Sequence, residues 1–158
     1  MKDKHTIMIT VANRIGVLAR IAGVLSSRGF NIESIIGWST ENTDVYQIHL
    51  VILGTPGEIE QITKQIHKLI DTIKVADISH KKKYIIYEFI LIKVRTGRNR
   101  QEVLDLAAAF GAKVVDIART AVRLDFGGPV HQVERFLDLM KPFGIKEFIR
   151  SGHIAVGP

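Results

Sequence analysis

The same order of elements is written twice along this chain of 158 residues. In the first half an alternating run at residues 5–11 is followed by an apolar stripe at helical spacing: Val17, Ile21 and Leu25, with Leu18, Ala22 and Val24 beside them. Two further strand-like runs, 30–40 and 45–53, flank the polar turn Glu41-Asn-Thr-Asp44. So short a connection makes them antiparallel neighbours. In the second of them Tyr46, Ile48, Leu50 and Ile52 share one face, and Gln47 and His49 the other. Gly54-Thr-Pro-Gly57 breaks the pattern and opens a second helical stripe of Ile59, Ile62, Ile66, Leu69 and Ile70, after which 72–78 reads as a strand. Past Ser79-His-Lys-Lys-Lys83 the order starts again: a strand at 84–94, a helix at 101–110 stopped by Gly111, strands at 113–117 and 120–126, and the turn Gly127-Gly-Pro129. A helix carrying Val130, Val133, Phe136, Leu137 and Met140 and a strand at 145–149 complete it. Each half is β-α-β-β-α-β. The pattern predicts an α+β chain of two tandem ferredoxin-like βαββαβ domains, at 1–79 and 84–158 with a linker at 80–83, each an antiparallel four-stranded sheet with two helices on one face.

That architecture leaves the other sheet face and the sheet edges without partners. Exposed edges are normally covered, so edge-to-edge pairing of two copies, a homodimer, is expected. With 46% apolar residues the chain has material for a core of its own. It contains no cysteine, which excludes disulfides, thiolate metal sites and cysteine nucleophiles. No stretch reads as a signal peptide or membrane span, and a cytoplasmic location is expected. The formal charge of +6 is spread thinly apart from Lys81–Lys83 and Arg95, Arg98 and Arg100. Neither sheet carries the aromatic pair of an RNA-reading surface, so the charge reads as solvated surface rather than a nucleic-acid site.

Catalytic signatures are missing. No phosphate loop or dinucleotide glycine fingerprint is present, the six histidines are scattered without metal-ligand spacing, and no carboxylate pair suggests acid–base chemistry. No metal site and no catalytic residue are expected on this chain. The one pattern suited to a ligand lies between Val11 and Ile32. Asn13 and Gly16 stand at the entrance of the first helix, Gly29 marks its end, and Asn31 opens the next strand. The first N–H groups of a helix lack internal partners and favour an anion.

The residues Asn13-Arg-Ile-Gly-Val-Leu-Ala-Arg20 and Ser26-Ser-Arg-Gly-Phe-Asn-Ile-Glu-Ser34 resemble the signature of the regulatory small subunit of acetolactate (acetohydroxyacid) synthase, a family whose first domain is an amino-acid-sensing ACT domain. The likeness continues through Gln65-Ile-His-Lys-Leu-Ile-Asp71 and, more weakly, to Arg150-Ser-Gly152. It implies a non-catalytic subunit that activates a thiamine-diphosphate-dependent large subunit, the bearer of thiamine diphosphate, Mg2+ and FAD, and confers feedback inhibition by valine, leucine or isoleucine. It also implies an effector site where the first helix entrance of one ACT domain meets its neighbour. On this chain the effector carboxylate would meet the N–H groups near Gly16, Val17 and Leu18. The amides of Asn13 and Asn31 would take the ammonium, and the side chain would lie beside Val17, Leu18 and Ile32. Where the family carries an acidic residue and then proline or serine before the glycine, this chain has Arg14-Ile15. A free-standing tandem ACT regulator of another enzyme or of transcription is the alternative.

Overall fold

The computed structural model describes residues 1–158. They divide into two units, residues 1–84 together with 152–158, and residues 85–151. The expected division gave the second domain everything from 84 to 158. The structure instead returns the last seven residues to the first unit.

The first unit runs β1 (Asp3–Ala12), α1 (Val17–Ser27), β2 (Ile32–Ser39), β3 (Val45–Gly54), α2 (Pro56–His67) and β4 (Thr72–Asp77). Its antiparallel sheet has the order β2-β3-β1-β4, so β2 and β4 are edges. Ile7, Ile9 and Val11 of β1 alternate inward with Ile48, Leu50 and Ile52 of β3, and the stripes Val17/Ile21/Leu25 and Ile59/Ile62/Ile66 cover them. Each fully buried aliphatic side chain stabilises by roughly 1.5–3 kcal/mol. The start of α2 is fixed by a reciprocal cap. Thr55 Oγ1 accepts from the Glu58 N–H at 3.4 Å, and the Glu58 carboxylate accepts from the Thr55 N–H at 2.8 Å, with Pro56 next in line. The helix ends three residues before Ile70, which is 89% exposed and no part of its apolar stripe.

The second unit runs β5 (Ile85–Arg95), α3 (Arg100–Phe110), β6 (Lys113–Ile117), β7 (Ala121–Pro129), α4 (Val130–Met140) and β8 (Ile145–Arg150), with strand order β6-β7-β5-β8. Gly127-Gly-Pro129 is not a turn. It prolongs β7, pairing with Phe89, Glu88 and Tyr87 of β5. Two glycines without side chains to pack weaken strand propensity, and here the ladder along β5 overrides it. In the core, Phe110, Phe126 and Phe136 meet with ring centres 5.0–5.9 Å apart. Arg150 on β8 is held by the buried Glu88 and by Glu134, which raises its affinity for a proton further above the ordinary arginine value.

The short strand β9 (Ile154–Val156) lies in the returning tail. The Ala155 N–H donates to His49 Nδ1 at 3.1 Å, and His153 Nδ1 lies 2.7 Å from Thr6 Oγ1. Gly152 packs so closely on Ser34 that a Cβ there would lie 2.6 Å from its Oγ. The face with Gln47 and His49, expected to be bare, is therefore covered in part by the chain's own end. His49 and Val51 are buried there. No helix is long and apolar enough to cross a membrane.

Candidate functional site

The entrance to α1 is built from the turn after β1. The Asn13 N–H donates to Asp44 O at 2.8 Å, and the Asn13 Nδ2 donates to Thr43 O at 2.9 Å, tying the turn to the β2–β3 connection. Gly16 then takes φ +83°, the left-handed region that glycine enters without penalty. It precedes the helix with no side-chain cap. The Val17 N–H reaches back to Arg14 O at 3.3 Å. Val17 itself points inward and is buried, while Leu18 is 42% exposed.

A charged cluster that was not foreseen sits at the same mouth. The Asp71 side chain, only 2% exposed, pairs with the Arg20 guanidinium and lies 3.6 Å from that of Arg14. The Asp71 carbonyl also accepts the Ala12 N–H at 2.8 Å. Arg20 bends over the turn, its Nη2 3.5 Å from Ile15 O, and a Cβ on Gly16 would stand 3.0 Å from its Nη1. Two guanidiniums against one carboxylate leave a net positive charge beside the helix start. The helix dipole adds to it, so the mouth suits a carboxylate.

The structure brings Asn13, Gly16, Val17 and Leu18 together and separates Asn31 and Ile32 from them. The eleven residues of α1 span about 16 Å. The strand register says the same. Val11, next to the mouth, aligns with Tyr46 and Ser39, whereas Ile32 aligns with Ile52 and His5 at the far end of the sheet. Asn31 is exposed, and Ile32 is half-buried against the core. Within one chain the six residues fall into two groups at opposite ends of the sheet.

Comparison with known proteins places the chain in a family. A family model described as the AHAS small subunit-like ACT domain matches residues 7–74, and one described as the small subunit of acetolactate synthase matches 87–157. The chain belongs to the acetolactate synthase small-subunit family. Over 154 residues it is 40% identical to a probable acetolactate synthase small subunit of Archaeoglobus fulgidus, covering 97% of this chain and 96% of that one. It is 39% identical to the small subunit of Bacillus subtilis, covering 96% and 89%. The crystal structure of the small subunit from Thermotoga maritima superposes with a TM-score of 0.86 at 30% identity, over 99% of this chain and 98% of that one. Residues 7–74 of the first unit thus match the family's ACT domain. Asp71 was legible in principle, because it ends the run Gln65–Asp71 that carries the family likeness. Nothing in the periodicity marks it as buried, because it falls in the link between α2 and β4.

Proposed function

We propose that this protein is the regulatory subunit of acetolactate synthase in its organism. It activates a large subunit that carries thiamine diphosphate, Mg2+ and FAD, and it makes that enzyme sensitive to valine, leucine or isoleucine. The observation that carries the sensing half is the opposition of two half-sites on one sheet. The strand β2 is an open edge of eight residues. Two copies paired antiparallel along it by a two-fold axis bring Asn31 and Ile32 of each to the α1 mouth of the other. In that homodimer the effector carboxylate lies at the N–H groups following Gly16, with Arg14 at its side. The Asn13 amide and the partner copy's second amide take the ammonium, and the aliphatic chain rests on Leu18 and the partner's isoleucine. Only an effector with both charged ends and a short apolar side chain satisfies all of these groups at once.

Such a protein works in the cytoplasm beside its catalytic partner. Adding it to the cognate large subunit is expected to raise the rate of acetolactate formation, and a branched-chain amino acid is expected to lower that raised rate. An unchanged rate with the folded, dimeric protein present contradicts the activation. Activation without any response to valine, leucine or isoleucine contradicts the sensing alone.

A further inference from the structure

A cleft of about 500 Å3 opens at the end of the first unit's sheet remote from the α1 mouth. One wall is the first two turns of α2, with Pro56, Ile59 and Thr63. The other is the end of β4, Val75 to Asp77, beside Asp3 and His5 of β1. His5 is 3% exposed, and its Nε2 is buried with no hydrogen-bond partner. A buried polar atom left unpaired is rare and calls for an explanation.

The surroundings fix what that atom offers. His5 Nδ1 lies 2.8 Å from Asp77 Oδ2, and the second oxygen of Asp77 accepts from the Ser79 N–H and Oγ at 3.0 and 2.5 Å. Burial pushes the Asp77 carboxyl up, but hydrogen bonds from Ser79 and His5 outweigh it and hold the group below its ordinary value. Asp77 is therefore a carboxylate, and the proton shared with His5 sits on Nδ1. In the tautomer with that proton on Nδ1, Nε2 presents a lone pair. The His80 ring stands edge-on at 5.8 Å between centres. Asp3, Glu60 and Asp77 outnumber the single cation on the cleft, Lys81, and the Glu60 carboxylate is shared with Lys64 on its outer side. The balance favours a cationic, proton-donating ligand over an anion. No three His, Asp or Glu side chains converge closely enough to hold a metal ion.

We propose that this cleft is a second small-molecule site, which takes a compact aliphatic ammonium compound. The ammonium donates to His5 Nε2 between the carboxylates of Asp3 and Glu60, and the hydrocarbon lies on Ile59, Val75 and Ala76. The site is independent of the effector site at the α1 mouth, since none of the residues lining it takes part in that reading.

The test is a titration of the full-length protein with isobutylamine at mildly alkaline pH, followed by the 15N resonances of the histidine rings. Isovalerate and Zn2+ serve as parallel probes. Isobutylamine is expected to move the His5 Nε2 resonance toward the protonated range in a saturable manner. His5→Asn is expected to weaken binding about tenfold through loss of the buried acceptor. Glu60→Gln, at an exposed position that leaves folding intact, is expected to weaken it a few-fold, as loss of one exposed charge does. A His5 resonance that stays still at saturating amine overturns the proposal. So does a shift produced by isovalerate or by Zn2+ but not by the amine, and so does equal affinity in wild type and Glu60→Gln.

Discussion

The two copies of the fold enter their first helices in different ways. In the first unit the last N–H of β1, on Ala12, bonds to Asp71 O. In the second, the equivalent N–H of Arg95 bonds to Gly144 O. The next residue, Asn13 or Thr96, donates its N–H to the connection between the middle strands, at Asp44 O or Thr120 O. The frames match and the furnishings do not. Where the first copy has a buried carboxylate flanked by two guanidiniums, the second has a glycine at φ +93°. The second mouth is closed instead by a 3-10 turn, Gly97–Asn99, and by Arg100, whose guanidinium donates to Ala118 O and Arg119 O. That cation is spent on its own loop, while Arg14 of the first mouth is held by one contact at 3.6 Å and stays open to an anion. A βαββαβ frame thus supplies a helix mouth but does not fix the charge around it. The buried acid that positions the arginines makes the difference.

The sharpest way to break that contrast is to remove the acid. Asp71→Ala leaves Arg20 without its partner and is expected to destabilise the first unit by about 2 kcal/mol, a value reduced from that of a fully buried pair because Arg20 is half-exposed. Arg100→Ala should cost about 1 kcal/mol, in keeping with hydrogen bonds to turn carbonyls. Denaturant titration of the two variants measures both, and equal losses would dissolve the distinction. Next comes the charge at the mouth. Arg14→Gln is expected to weaken valine binding about tenfold in calorimetry, close to 1.4 kcal/mol. Arg98→Gln, at the second mouth, should leave that affinity unchanged.

Glycine at the two turns gives a smaller contrast. Gly16→Ala meets both a left-handed φ and the Arg20 guanidinium, whereas Gly97→Ala, at φ +44°, meets open space. The first substitution is expected to cost about 2 kcal/mol or less and the second about 1 kcal/mol, again by denaturant midpoint. The smallest effect is a pH dependence confined to the tail. Burial holds His49 below its ordinary value near 6.5, against a weaker upward pull from the His153 backbone. A base with a depressed folded value lends its stability above the unfolded value and loses it as pH falls through the folded one. Protonation also removes the acceptor of the Ala155 N–H. Hydrogen exchange at Ala155, corrected for the intrinsic rate, should therefore quicken below neutrality, and in His49→Gln it should be fast without that pH dependence.

How far the sequence foretold these features depends on what each rests on. The helices of the first unit were legible because Val17/Ile21/Leu25 and Ile59/Ile62/Ile66 recur at one face and bury that face. The end of α2 was not, since Leu69 and Ile70 continue the apolar lettering after the backbone has left the helix; only Leu69 packs on the core. Gly127-Gly-Pro129 misled in the same way, because local turn chemistry says nothing about a partner strand waiting in β5. The tail could not be read at all. Its return depends on single contacts at Ser34, Thr6 and His49, which leave no periodicity. At the candidate site Asn13 and Gly16 were legible as turn chemistry. Their distance from Asn31 was hidden, because residues a helix apart in sequence lie at opposite ends of a sheet.

That distance is the centre of the account, and mixed dimers test it most directly. Asn13→Ala and Asn31→Ala homodimers each carry two damaged sites and are expected to lose tight valine binding. Mixed, unfolded together and refolded, they form heterodimers in which one site holds both substitutions and the other holds neither. The account predicts that about one quarter of all sites then regain wild-type affinity, as random two-fold pairing requires. Calorimetry of the mixture that finds no restored sites, with dimers shown to have exchanged, would contradict it.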